Sequence, residues 1–98
     1  YIDDCCEAIH KLMNCKEAIN QIVNIGSNDE RKVIEVARII LKELGIKKRV
    51  IRKKAPKGSA KRRMPNIKKI QKLIKWSPTT KLEDGLKKTI RLINRVYY

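Results

Sequence analysis

The residues best suited to chemistry with an anion are two adjacent guanidinium groups. Arg62 and Arg63 close a basic stretch and directly precede Met64-Pro65-Asn66-Ile67. A guanidinium presents a rigid fork of N–H donors that engages two phosphate oxygens at once, so two in succession can neutralise a diphosphate. Pro65 suits a helix start, which would bring free backbone N–H groups close by. The competing reading is a solvated basic loop, and spacing alone favours it. Lys53, Lys54, Lys57 and Lys61 pose the same question upstream. No aromatic residue is interleaved with them, so they form no base-stacking platform, and a solvated loop explains them better. Trp76, ahead of Pro78 at the end of an amphipathic stretch, reads as a plug at the edge of a core rather than a stacking surface. Asp3 and Asp4 diverge on a helix, so they read as capping acids and not as a catalytic carboxylate pair.

Other chemistries lack their residues. No Gly-x-Gly-x-x-Gly motif follows a strand and no P-loop is present, which removes the usual dinucleotide and nucleotide cradles. No Ser-His-Asp or Cys-His arrangement has an orienting partner in view, and the lone His10 lies on a helix that reads as structural. Cys5, Cys6 and Cys15 are odd in number with two adjacent, so they outline no disulfide framework. A zinc site would need a fourth ligand and Cys-x-x-Cys spacing. Cys6 and His10 make at most part of a soft-metal site, and the thiols read as small buried groups in a reducing compartment. No catalytic residue and no metal ligand is assigned.

The elements that must position the arginines follow from periodicity. Cys5, Ala8, Ile9, Leu12 and Met13 recur at helical spacing, predicting a helix from the Asp3-Asp4 cap to about Asn14. Gln21 to Ile25, stopped by Gly26-Ser27-Asn28-Asp29, reads as a short strand and a turn. Val33, Val36, Ala37, Ile40, Leu41 and Leu44 form an apolar stripe, with Gly45 placed to end the helix. Arg49 to Arg52 mixes charge with β-branched residues, as an edge strand does. Lys53 to Arg63 has no periodicity and carries Pro56 and Gly58, so it is a loop. Ile67, Ile70, Leu73 and Ile74 make one side of a short helix ended by Trp76 and Pro78. Thr80 and Glu83 have capping-box spacing, and Leu82, Leu86, Ile90 and Ile93 share one face of a last helix. Helices alternating with strands predict an α/β class: one small, helix-rich domain with a few short strands.

Composition bounds the rest. The chain has 98 residues, enough for one thin-cored domain, and no Phe, so Ile, Leu and Val must fill the core. A net charge of +15 points to an anionic partner, although Lys spread over solvated helix faces is the plainer reading. No apolar run reaches the ~18 residues of a membrane span. The opening Tyr1-Ile2-Asp3-Asp4 carries acids where a leader would be basic, so the expectation is a piece of a longer cytoplasmic protein.

Five segments in order resemble the extended short-chain dehydrogenase/reductase enzymes that epimerise, dehydrate or decarboxylate nucleotide sugars. Tyr1-Ile2-Asp3-Asp4-Cys5-Cys6-Glu7-Ala8-Ile9 is similar to their hydrophobic-Val-Asp-Asp-x-x-x-Ala-Ile segment, and Val23-Asn24-Ile25-Gly26-Ser27 to their Tyr-Asn-Ile-Gly-Ser strand and turn. Ile34 to Leu44 resembles the following helix. Arg62 to Lys69 resembles Arg-Arg-x-Pro-Asp-Ile-x-Lys, a form like that of UDP-glucuronate decarboxylases, and Leu73 to Leu86 resembles Leu-Leu-Gly-Trp-x-Pro-x-x-x-Leu-Glu-Glu-Gly-Leu. The departures are Asn66 for Asp, which touches a helix cap more than chemistry, Lys75 for the Gly before Trp76, and Lys57-Gly58-Ser59-Ala60 in place of an acidic stretch. The resemblance implies that residues 1–98 are the nucleotide-sugar-binding C-terminal domain of a Rossmann-type enzyme. Arg63 would then reach a UDP-, dTDP- or GDP-sugar, with Arg62 assisting. It further implies that NAD, the Tyr-x-x-x-Lys pair and the Rossmann domain belong to a missing N-terminal part of a parent homodimer, so that this portion alone binds no cofactor and is inactive. The alternatives are a small basic nucleic-acid-binding module, which the scarcity of aromatics argues against, and a pure interaction domain with an exposed apolar patch.

Overall fold

A computed structural model describes residues 1–97. Its helices are α1 (Ile2–Met13), α2 (Val33–Glu43), α3 (Lys68–Ile74) and α4 (Leu82–Tyr97), with a 3-10 turn at Lys16–Ala18. They fall in two compact units, one from residues 1–30 and 64–81 and the other from 31–63 and 82 onward.

The first unit holds the densest core. Ala8, Ile67, Ile70 and Trp76 are buried, with Leu12, Val23, Ile25 and Ile74 packed against them. On α1 the inward positions are Asp4, Ala8 and Leu12, at the i, i+4, i+8 spacing that lines one face. The apolar stripe expected there is therefore rotated: Ile9 is exposed and Met13 is 81 % exposed. A carboxylate has taken an inward place, because it has donors to meet. Asp4 is only 5 % exposed. Its Oδ1 accepts the hydroxyl of Thr79 at 2.9 Å and the N–H of Thr79 at 3.3 Å, while Oδ2 accepts the N–H of Thr80 at 3.1 Å. Asp4 thus does not cap its own helix, as the sequence suggested, but holds the turn that follows Trp76-Ser77-Pro78.

That turn is reached through an unusual residue. α3 ends at Lys75, whose φ of 50° and ψ of 37° are left-handed, a region that costs an L-residue about 1–2 kcal/mol. The chain then drops Trp76, 3 % exposed, into the core, and the amide of Gln71 donates to Ser77 Oγ at 3.0 Å. Lysine stands here where the resembled pattern has glycine, and the helix still ends in the conformation that glycine favours.

The expected strands do not form. Residues 21–25 and 49–52 belong to no ladder, and no strand occurs among the described residues. β-branched composition favours a strand only when a second backbone lies alongside at about 4.8 Å, and among the described residues neither segment has one. The α/β expectation is thus replaced by a helical arrangement. Residues 21–26 pack on α3 instead: Lys69 Nζ donates to the carbonyl of Ile22 at 2.8 Å, and Gly26 lies so close to Pro65 that a Cβ would sit 2.5 Å from the proline Cγ. The half-buried Cys15 donates its thiol to Leu73 O at 3.8 Å and to Glu17 at 3.4 Å. Cys6 is exposed, so the thiols are less buried than their type suggests.

In the second unit α2 packs on α4. Glu35 accepts the N–H of Lys32 at 2.7 Å, satisfying one donor at the start of α2. Gly45, at φ +65°, ends α2: its N–H bonds Lys42 O at 3.1 Å and that of Ile46 bonds Leu41 O at 2.9 Å, the paired pattern of a Schellman close. Arg31 pairs with Glu83 at 3.2 Å, and Thr80 gives its N–H to Asp4, so the expected Thr80–Glu83 capping box is replaced by these two contacts. Leu82, Leu86 and Ile90 are half-buried, whereas Ile93 is exposed. No helix among the described residues is long and apolar enough to cross a membrane.

Three outcomes test this packing by urea denaturation. Gly26→Ala, forced against Pro65, lowers stability by about 1–3 kcal/mol, the usual cost of overpacking; an unchanged midpoint refutes the close approach. Lys75→Gly raises stability by about 0.5–1 kcal/mol through relief of left-handed strain, and a loss refutes that strain. Burial alone would push the Asp4 carboxyl up, but the bonds from the Thr79 hydroxyl, the two backbone N–H groups and Thr80's side chain outweigh it, holding the group below its ordinary 3.8. The unfolded chain then binds the proton first on acidification, so this stabilisation is complete above pH 3.8 and is lost as pH falls through the lower folded value. The difference in urea midpoint between the wild type and Asp4→Asn therefore shrinks below pH 3.8; a difference constant with pH rules the mechanism out.

Candidate anion-binding site

The paired arginines end an irregular stretch in which every residue from 51 to 63 is exposed. Midway, the N–H of Ser59 bonds Pro56 O at 3.2 Å and Gly58 has φ +80°. Glycine at the third position with positive φ is what a type II turn requires. Beyond the arginines the chain becomes fixed at once, with Pro65 against Gly26 and Ile67 buried. Arg62 and Arg63 thus stand at the change from exposed loop to packed core, tethered at one end.

Both residues are exposed. An exposed arginine retains its fork of donors for a phosphate, and its strong binding awaits a ligand that excludes solvent. The helix amides expected beside them are not available in the way the sequence suggested. α3 begins at Lys68, three residues after Pro65, and the N–H of Lys68 is taken by Asn66 Oδ1 at 3.0 Å. Asn66 thus satisfies that one N–H from the position just before the N-cap residue, Ile67, which has no side-chain cap of its own. Lys53, Lys54, Lys57 and Lys61 are exposed on the same loop, and Trp76 is core, as expected, with no partner for its indole N–H among the described residues.

Sequence reasoning missed the role of Asp4. The signal was present: an acid in register with Ala8 and Leu12 on an otherwise apolar face, and two consecutive threonines directly after a proline. Asp4 is the buried charged group of the described residues, and its carboxylate is engaged by the Thr79-Thr80 turn, which gives it a structural task. Among the described residues no three His, Cys, Asp or Glu groups gather as metal ligands. The four glycines are likewise committed: Gly26 abuts Pro65, Gly45 ends α2, Gly58 makes a loop turn and Gly85 is buried in α4. None forms the strand-to-helix cradle that a dinucleotide pyrophosphate needs.

No protein-family model matches the chain, and no solved structure does so significantly. Curated proteins do. The chain is 30% identical over 95 residues to UDP-glucuronic acid decarboxylase 1 of Danio rerio, an alignment covering 97% of this chain and 22% of that protein. It is 34% identical to a putative UDP-glucose 4-epimerase of Methanocaldococcus jannaschii, over 92% of this chain and 28% of that protein. It is also 34% identical to GDP-mannose 3,5-epimerase 1 of Oryza sativa subsp. indica, over 91% of this chain and 23% of the relative. The chain thus spans roughly a quarter of the length of these relatives. Matched along nearly its whole length to a C-terminal region of such proteins, the chain belongs to the extended short-chain dehydrogenase/reductase family.

Proposed function

We propose that this chain is the nucleotide-sugar-binding part of an NAD-dependent epimerase, dehydratase or decarboxylase, and that Arg63, assisted by Arg62, holds the substrate diphosphate. The observation that carries this reading is what the relatives' names share. They differ in base and in reaction, naming UDP and GDP, epimerisation and decarboxylation, yet each names a nucleoside-diphosphate sugar or its acid. The common recognition element is a diphosphate, and paired guanidinium groups next to a packed anchor supply matching chemistry. Exposure of Arg63 supports a role toward a ligand, since its fork of donors can be reached from solvent.

On this reading the residues of the chain bind and orient, while oxidation and return of the hydride belong to a Rossmann portion elsewhere in the protein. NAD would be held there. The substrate would lie between the two portions, with this one closing over the diphosphate. A homodimeric parent in the cytoplasm accords with this assignment.

The experiment is an NMR titration of the 98-residue chain with UDP-glucuronate, using uridine as the control. UDP-glucuronate shifts the Arg62 and Arg63 resonances and uridine does not. Arg63→Ala weakens the interaction ~10- to 100-fold, the equivalent of one or two charge-assisted hydrogen bonds at about 1.5–3 kcal/mol. Equal responses to both compounds, or binding unchanged in Arg63→Ala, removes the arginine from the site.

A further inference from the structure

A concave surface in the second unit is unused by that reading and independent of it. One side is α2, where Ile34, Arg38, Leu41 and Lys42 stand at the i, i+4, i+7, i+8 spacing of a single helix face. The other side is Ile46 and the stretch from Lys48 to Arg52. Its volume of about 1130 Å³ is more than one sugar or inorganic anion fills.

Three properties specify an occupant. The lining mixes aliphatic side chains with five cations, Arg38, Lys42, Lys48, Arg49 and Arg52, and includes no acid. It has no aromatic residue on which a nucleic-acid base could stack. The backbone of residues 48–52 takes part in no helix and no ladder, and none of its groups bonds another backbone group among the described residues. Its N–H and C=O groups are thus available to an added strand. A second copy is disfavoured by charge, since each chain carries +15.

We propose that this groove binds an extended acidic peptide segment of a partner protein, with apolar and acidic residues in alternation, lying along residues 48–52. Alternation puts apolar side chains on one side of the peptide and carboxylates on the other. The first meet the aliphatic lining, the second meet the cations, and the peptide backbone meets the unused one of the groove.

The test uses a fluorescein-labelled peptide of alternating Glu and Val, about ten residues long so as to span the groove at ~3.3 Å per residue, with anisotropy read against the 98-residue chain. The expected result is saturable binding at least about tenfold tighter than that of an all-Glu peptide of equal length, which carries more charge but no apolar face. Arg38→Glu with Arg49→Glu weakens it by a further ~10-fold or more while circular dichroism is unchanged; if that pair disturbs the helices, Arg38→Gln with Arg49→Gln replaces it. Arg63→Ala leaves peptide binding intact, which separates this site from the diphosphate site. Equal or tighter binding of the all-Glu peptide, of an oligothymidylate or of phosphatidylserine vesicles overturns the proposal in favour of bare charge. So does peptide binding that the arginine variants do not alter, or a face filled by self-association in sedimentation.

Discussion

The Asp4 carboxylate holds together two stretches of chain 75 positions apart, and the first unit is organised around it. A buried carboxylate is destabilising unless it is saturated with donors. Here the donors come from Thr79 and Thr80, and they face Asp4 because Pro78 sets the turn and Lys75 turns the chain at the end of α3. Trp76 lies between these points and is buried as a result. Losing the acid would leave two backbone donors and a hydroxyl without their acceptor, a larger penalty than the net worth of the bonds themselves.

The second unit is built on a looser plan. Among its described residues only Gly85 is fully buried, and its helices meet through half-buried aliphatic residues. Cations crowd the stretch that follows α2, where they repel one another and keep the backbone in water. The same crowding gives the segment a positive potential that attracts anions. Burial is concentrated in one unit and exposed cationic charge in the loop of the other.

Much of this was legible in the residues. All four helices follow from their apolar stripes, and Gly45 ends α2 as its position suggests. Trp76 is packed, as its place before Pro78 implied. What was not legible depended on distant partners. Gln21–Ile25 has the composition of a strand, yet strand formation depends on a second backbone and not on local sequence. Asp4 looked like a cap because its true donors are remote in sequence. Pro65 looked like a helix start, but it is used as a wedge against Gly26, and α3 begins later under Asn66. Arg62 and Arg63 were singled out by type and spacing, and they lie in the exposed stretch that ends shortly before the buried Ile67.

The interleaving of the two units bears on how the chain is made. The core around α1 is completed by Ile67, Ile70 and Trp76 from residues 64–81, and α2 packs on α4, which begins at Leu82. Until residues 64–81 and α4 have been made, neither unit is complete, although α1 and α2 precede them in the chain. Stepwise folding behind the ribosome, usual where domains are contiguous, is closed to this portion. The apolar face of α1 waits for residues 64–81 and that of α2 for α4, and nascent chains stalled before those points are the ones a chaperone would have to shield.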